Sequence, residues 1–236
     1  MYSPSVPDTM NPSYTSERHA MKIQKLIPII AAILTTIILA VVIITAVQPD
    51  PPTNSKLDYG FHTTLPQPEA DARSQFVKTA QRWVGCAEGD GSHKPIIDLY
   101  NSHPPLARNY EVQYTDEWCA TFVSAVSIEC GFTDIIPTEC GCERQIELFK
   151  QLNAWEESDN YKPLPGDIIY YCWKNTSKLG DCIGWSDHVG IVVGTSGDYM
   201  KVIEGNYNEK VAYRYIKIGA EGIRGFALPN FSGLNG

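Results

Sequence analysis

The chain has 236 residues, of which 43% are hydrophobic and 11% aromatic, enough to bury the core of one domain of ordinary size. Its 27 acidic and 19 basic side chains give a formal net charge of −8 at pH 7. Surfaces that bind nucleic acid carry clustered positive charge, so this balance argues against DNA or RNA as a partner.

The N-terminal part has the pattern of a membrane anchor. Residues 26–47 include no charged side chain, a stretch long enough to cross a bilayer core of about 30 Å as one helix. Basic side chains in residues 1–25 outnumber those just after the stretch, which predicts a cytoplasmic segment before it and an extracellular chain after it. We therefore predict a single-pass membrane protein; a protein secreted after cleavage of a signal peptide is the alternative.

The remaining chain is predicted to be a linker followed by one folded domain. Residues 48–69 are rich in Pro, Asp and Thr, which is typical of an extended extracellular linker before a domain over residues 70–236. Helical periodicity predicts helices over residues 70–84, 95–100, 118–130 and 142–152. Alternation of period two predicts strands over residues 168–171, 188–193, 199–204, 211–218 and 223–228. Helices followed by an antiparallel meander indicate an α+β domain.

The chain has seven cysteines, which suits an extracellular domain. Their odd number leaves one thiol unpaired, and Cys119 is the natural candidate. A disulfide is predicted only between Cys172 and Cys182, which flank an irregular polar loop, while several of the others can equally be buried free thiols. Cys140 and Cys142 have acidic neighbours but neither a CxxC pair nor a nearby histidine, so we predict no metal and no cofactor.

Four residues have the order of a cysteine-hydrolase site. Cys119 stands where a polar loop turns into an apolar run of helical period, and the dipole at a helix N-terminus lowers the pKa of a thiol there. His188 begins a predicted strand, and Glu204 and Asn206 end the next one. A nucleophile, a base and an orienting group in this order are typical of cysteine hydrolases.

The hairpin between His188 and Glu204 provides a geometric test. A three-residue loop over residues 195–197 would place these two side chains directly opposite each other, within hydrogen-bonding reach, with Asn206 as a diagonal neighbour. A two-residue loop would instead pair His188 with Gly205 and weaken the site. In the first arrangement Cys119 attacks a carbonyl carbon, His188 transfers the proton and Glu204 orients the imidazole. Asn206 shares that task or donates to the substrate.

Four motifs, WC at 118–119, PGDII at 165–169, HVGIV at 188–192 and EGN at 204–206, resemble the cysteine- and histidine-dependent amidohydrolase/peptidase (CHAP) family. The resemblance covers roughly residues 70–229. It implies a papain-like fold, with N-terminal helices packed on an antiparallel sheet, and hydrolysis of an amide bond in cell-wall peptidoglycan. The enzyme would be a cross-bridge or stem endopeptidase or an N-acetylmuramoyl-L-alanine amidase. Cys119 is then the nucleophile and His188 the base, and Glu204 with Asn206 completes the site.

Two departures refine the resemblance. Related NlpC-type peptidases usually have a second histidine where this chain has Glu204, which favours CHAP. Some CHAP lysins bind calcium through an Asp-x-Asp pattern before the nucleophile, but residues 109–116 lack it.

The alternative function is a membrane-tethered binding or assembly module of a secretion or conjugation machine with a vestigial triad. The intact Cys–His–Glu set argues against that alternative, and the reactivity of Cys119 distinguishes the two.

Overall fold

The computed structural model of the chain describes residues 64–173 and 184–235. The predicted cytoplasmic segment, the apolar segment 26–47 and most of the linker lie outside the described residues, so the predictions made for them stay predictions. Within the described ranges, no helix combines the length and the apolar character needed to cross a membrane.

Each predicted helix is found in the described part of the chain, with small shifts at its ends. The helices are α1 (Gln67–Arg82), α2 (Lys94–Asn101), α3 (Cys119–Cys130) and α4 (Cys142–Gln151). Helix α1 begins at Gln67 rather than at residue 70, because the proline in its first turn needs no backbone N–H partner there. The last residues of the predicted linker are therefore helical.

The strands of residues 64–173 and 184–235 form one antiparallel sheet with the order β1-β6-β2-β3-β4-β5. They are β1 (Trp155–Glu156), β2 (Ile168–Tyr171), β3 (His188–Ser196), β4 (Tyr199–Glu204), β5 (Ala212–Lys217) and β6 (Ile223–Ala227). Strand β1 was not predicted, since two residues are too few to show a period. Helices followed by an antiparallel sheet confirm the α+β class, and the arrangement fits a papain-like domain.

Helix α3 lies at the centre of the domain. Every residue from 119 to 127 is buried, and the helix packs against α1, α2 and β3. The polar side chains of this stretch, Thr121, Ser124 and Ser127, are small and the others are apolar, so the helix can be enclosed on all sides. It ends at Cys130 and is capped by Gly131, whose φ of 72° is a left-handed conformation that glycine adopts without strain. The core therefore fixes the position of Cys119 at the start of α3.

The PGD motif connects the helical layer to the sheet. Backbone hydrogen bonds of 2.8 Å join Gly166 N–H to the Val192 carbonyl and Val192 N–H to the Asp167 carbonyl. The buried Asp167 carboxylate accepts a hydrogen bond of 2.8 Å from Arg73 of α1. This motif is structural, because it ties α1 and the turn before β2 to the strand that carries His188.

The β3–β4 hairpin differs from the predicted one. Ser196 pairs with Tyr199, so the loop contains only Gly197 and Asp198, and the prediction of a three-residue loop over residues 195–197 is wrong. Gly197 has a φ of 57°, and glycine can occupy this conformation at the first loop position as well as at the predicted third one. The glycine therefore indicated a turn but left its length undetermined.

A β-bulge also changes the register of this hairpin. The pairing shifts between Val192 and Gly194, which leaves Val193 as an extra residue in β3. Ile191 then pairs with Ile203, so Glu204 does not lie directly opposite His188 as predicted. Because the shift from the predicted register is an even one, both side chains still lie on the same face of the sheet.

Candidate active site

The position of Cys119, the candidate nucleophile, is fixed by the buried side chain of Trp118. Cys119 is the first residue of α3 and is 5% exposed. Trp118, directly before it, is completely buried and donates a hydrogen bond of 2.8 Å from Nε1 to the Glu88 carboxylate. Its ring also packs against that of His93, with 5.7 Å between the centroids. The tryptophan of the WC motif therefore anchors the start of the helix.

His188 and Glu204 are brought together as the sequence predicted. His188 Nε2 lies 2.9 Å from Glu204 Oε2, and the Glu204 side chain is 0% exposed while that of His188 is 13% exposed. Since Nε2 faces the carboxylate, Nδ1 is the nitrogen that remains for Cys119. This arrangement leaves one ring nitrogen for orientation and the other for proton transfer.

Sequence analysis did not find Arg214. Its Nε donates a hydrogen bond of 2.6 Å to Glu204 Oε1, so each oxygen of the buried carboxylate has a charged partner. In β5, Arg214 pairs with Val202, and Ala212 pairs with Glu204, which places Arg214 two residues along on the same face as Glu204. The only indication in the sequence was that the predicted strand over residues 211–218 contains one arginine, an even number of residues from the partner of Glu204.

The electrostatics of the site favour an ion pair. A hydrogen bond with Cys142 does most to lower the pKa of Cys119 to about 5, against the opposing effect of burial, and His188 adds to it. Burial lowers the pKa of His188, but its hydrogen bonds with Cys119 and Glu204 and their negative charges raise it overall to about 10. Between these two values the site holds a thiolate beside an imidazolium.

Gly190 has no side chain at the position where the Glu204 side chain lies over strand β3. A Cβ atom at Gly190 would lie 2.7 Å from Glu204 Cγ and 2.5 Å from Val202 Cγ1. The missing side chain therefore provides the space through which the carboxylate passes to reach His188. This accounts for the glycine of the HVGIV motif.

The EGN motif has a second close approach. A Cβ atom at Gly205 would lie 2.4 Å from Phe122 Cβ of α3, so glycine lets the helix pack directly on the end of β4. Asn206 follows with a φ of 56°, and its Nδ2 donates a hydrogen bond of 2.8 Å to Glu117 Oε2. The structure thus ties Asn206 to the loop before Cys119 rather than to His188, and its predicted catalytic role stays a prediction.

The cysteines fall into different environments. Cys172 is in a disulfide, while its predicted partner Cys182 lies outside the described residues. Arg108 Nη2 donates a hydrogen bond of 3.0 Å to Cys140 Sγ, whereas Cys142 Sγ lies 3.6 Å from Cys119 Sγ. The cysteines that are free thiols in the described ranges are Cys86, Cys119, Cys130, Cys140 and Cys142.

Aromatic side chains border the site on the side of His188. Trp185 is 52% exposed, and the ring of Trp173 stacks on Tyr171 with 4.7 Å between the centroids. Tyr171 in turn stacks on His188 at 5.9 Å. A cavity of about 280 Å³ lies beside the loop that precedes Cys119, and Glu117 of that loop is among its lining residues. The described surface near the site therefore has an exposed aromatic rim and a polar hollow.

Comparison with known proteins finds one family model that is similar to part of this chain. Residues 109–206 match the family model of the CHAP domain, and this range includes all four predicted site residues. No curated protein matches the chain in sequence. The crystal structure of Ly7917 is similar to this chain at 15% identity with a TM-score of 0.39, covering 67% of this chain and 62% of that chain.

A crystal structure of Ly7917 with the hydrolyzing product of MDP gives a similar result, at 13% identity, a TM-score of 0.39, and coverage of 66% of this chain and 62% of that chain. This chain thus spans less than two thirds of the length of those structures. The four motifs that resemble the CHAP family all lie within the matched residues 109–206.

Proposed function

We propose that the protein is a cell-wall peptidoglycan hydrolase that cleaves an amide bond through Cys119, His188 and Glu204. The observation that carries the proposal is the thiol at the start of a buried helix beside a histidine that a buried carboxylate holds. The match of residues 109–206 to the CHAP family model supports peptidoglycan as the substrate. The geometry supports nucleophilic attack on a carbonyl group.

The first half of the reaction forms a thioester. The Cys119 thiolate attacks the carbonyl carbon of the amide, and the carbonyl oxygen becomes an oxyanion. Backbone N–H groups in the first turn of α3 have no helical acceptor and can donate to this oxyanion. His188 then gives its proton to the amide nitrogen, the C–N bond breaks and the amine leaves.

The second half returns the enzyme to its starting state. Neutral His188 takes a proton from a water molecule while the water oxygen attacks the thioester carbonyl. The C–S bond breaks, the acid product leaves, and the site again holds a thiolate and an imidazolium. Glu204 stays ionised throughout, because Arg214 and His188 donate to its two oxygens.

The same chemistry at Cys119 serves two substrate bonds. An endopeptidase would cut within the stem peptide or the cross-bridge, whereas an N-acetylmuramoyl-L-alanine amidase would cut the bond that joins L-Ala to the sugar. The exposed Trp173 and Trp185 support contacts with sugar or peptide surfaces in either case. The released termini distinguish the two activities.

The test uses purified full-length protein and purified Gram-positive sacculi. We expect turbidity to fall and new amino termini to appear without new reducing sugar ends, since a cysteine nucleophile acylates while glycosidases need paired carboxylates. Mass spectrometry of the muropeptides would show L-Ala termini for an amidase and cross-bridge or stem termini for an endopeptidase. The Cys119→Ala variant is the control.

Two results would contradict the proposal. If several wall types release no new amine while Cys119 is reduced and reacts rapidly with iodoacetamide, the substrate is not peptidoglycan. If Cys119 also reacts no faster than an ordinary thiol, the vestigial site of a binding or assembly module explains the chain better.

A further inference from the structure

Two helices of the domain begin with a cysteine, and their sulfur atoms meet. Cys119 opens α3 and Cys142 opens α4. The two Sγ atoms are 3.6 Å apart, and the residues are 5% and 8% exposed. Nothing in the steps above uses Cys142, although its sulfur touches the reacting atom.

We propose that Cys142 is a further catalytic residue, whose S–H group donates a hydrogen bond to the Cys119 thiolate. This inference rests on the proposed role of Cys119 as the nucleophile. A buried anion is costly unless donors surround it, and a thiol can donate a hydrogen bond there without adding charge. The distance of 3.6 Å lies within the range for a hydrogen bond that involves sulfur.

The surroundings decide which sulfur keeps the proton. On the Cys119 side, β3 presents the positively charged ring of His188, which stabilises an anion there. On the Cys142 side lies Asp187, the residue directly before β3. Its negative charge opposes ionisation of the Cys142 thiol. Two further titratable groups lie near the pair in the described ranges, Glu143 of α4 and the buried Tyr170 of β2. Cys119 therefore ionises while Cys142 stays a thiol.

This donor would act twice in each turnover. Before attack it helps to keep Cys119 ionised despite burial. In the second half of the reaction Cys119 leaves the tetrahedral carbon as a thiolate, and the Cys142 S–H group again donates a hydrogen bond to that sulfur. A better leaving group speeds the loss of the acyl group. Cys142 thus stabilises the charge at both points where it lies on sulfur.

The experiment measures ionisation without any wall substrate. Full-length wild-type, Cys142→Ala and Cys142→Ser proteins are treated with iodoacetamide over a range of pH, and the rate of alkylation at Cys119 is followed by peptide mass spectrometry. Losing a hydrogen bond to a charged group should raise the apparent pKa of Cys119 by about one to two pH units in Cys142→Ala. The serine hydroxyl should restore part of that shift.

A matched control lies in the same helix. Cys130 is a free, half-buried thiol at the other end of α3, so Cys130→Ala should leave the Cys119 profile unchanged. Circular dichroism confirms folding, and the serine variant keeps the test valid if the alanine variant fails to fold. A wild-type profile in Cys142→Ala overturns the proposal. So does a Cys142→Ser profile shifted as far as that of Cys142→Ala, because packing rather than donation would then be responsible.

The readout separates this inference from the proposed function. A shifted alkylation profile in a protein that releases no muropeptide would refute the substrate and keep the thiol donor. Muropeptide release with an unshifted profile would do the reverse.

Discussion

Replacing Glu204 with glutamine tests the charge that supports His188. The carboxylate is completely buried and binds His188 at 2.9 Å and Arg214 at 2.6 Å. Glutamine keeps the shape of the side chain but removes the negative charge. It also offers only one acceptor oxygen to two donors, so one of them loses its partner.

The expected magnitude follows from the lost interaction. A hydrogen bond to a charged group contributes about 1.5–3 kcal/mol, which corresponds to about one to two pKa units. The pKa of His188, about 10 in the wild type, should therefore fall. The imidazolium, and with it the thiolate–imidazolium pair, would be lost at a lower pH. Transition-state stabilisation lost on the same scale would lower kcat/KM by about 10- to 100-fold.

The assay is the pH dependence of sacculus hydrolysis, supported by the pH dependence of Cys119 alkylation. In Glu204→Gln the alkaline limb of the activity profile should move to lower pH by about one to two units. Glu209→Gln is the control, since it removes the same charge from an exposed position near the end of β4. An alkaline limb that stays at the wild-type position, in a folded variant, would refute the assignment of Glu204.

Three further outcomes are expected. Cys119→Ala should abolish wall hydrolysis and leave the circular dichroism spectrum intact, and more than a trace of remaining activity would exclude the covalent mechanism. Gly190→Ala should lose about 1–3 kcal/mol of stability by overpacking and also lose activity, as its Cβ would lie 2.7 Å from Glu204 Cγ, whereas Gly89→Ala meets nothing within 4 Å and should be neutral in thermal unfolding. Protease added to intact protoplasts should remove the folded domain and leave a stub that contains residues 26–47; a mature N-terminus after residue 47 in culture fluid would instead show a cleaved signal.

The sequence predicted the four helices, five of the six strands in the described ranges, and three side chains that the structure brings together. Long runs of helical or alternating period predicted the helices and most strands, because burial of one face determines such patterns. Cys119, His188 and Glu204 were found because each stands at the end of such a run, where a side chain can be directed into a cleft. The structure brings these three together.

The remaining parts of the site depend on contacts between distant segments. Nothing in the local sequence around Cys142 shows that α4 begins next to the start of α3. Arg214 lies in a strand whose neighbours were predicted, but its partner depended on the register between β4 and β5. The loop length and the bulge of the β3–β4 hairpin could not be predicted either, since a single glycine is compatible with several turn types. Long-range geometry, rather than residue chemistry, was what the sequence left open.

The bulge at Val193 has a consequence for insertions and deletions among relatives of this chain. His188 and Glu204 are separated by an even number of positions, 16, and a regular hairpin with a two-residue loop would place such residues on opposite faces. One extra residue in β3 corrects this. A relative with an odd separation and the same loop needs no bulge, while one with an even separation must have either a bulge or a loop with an odd number of residues. The parity of this separation therefore limits which combinations of loop length and bulge a relative can have, and a one-residue insertion or deletion that keeps both side chains on one face must change either the loop length or the bulge.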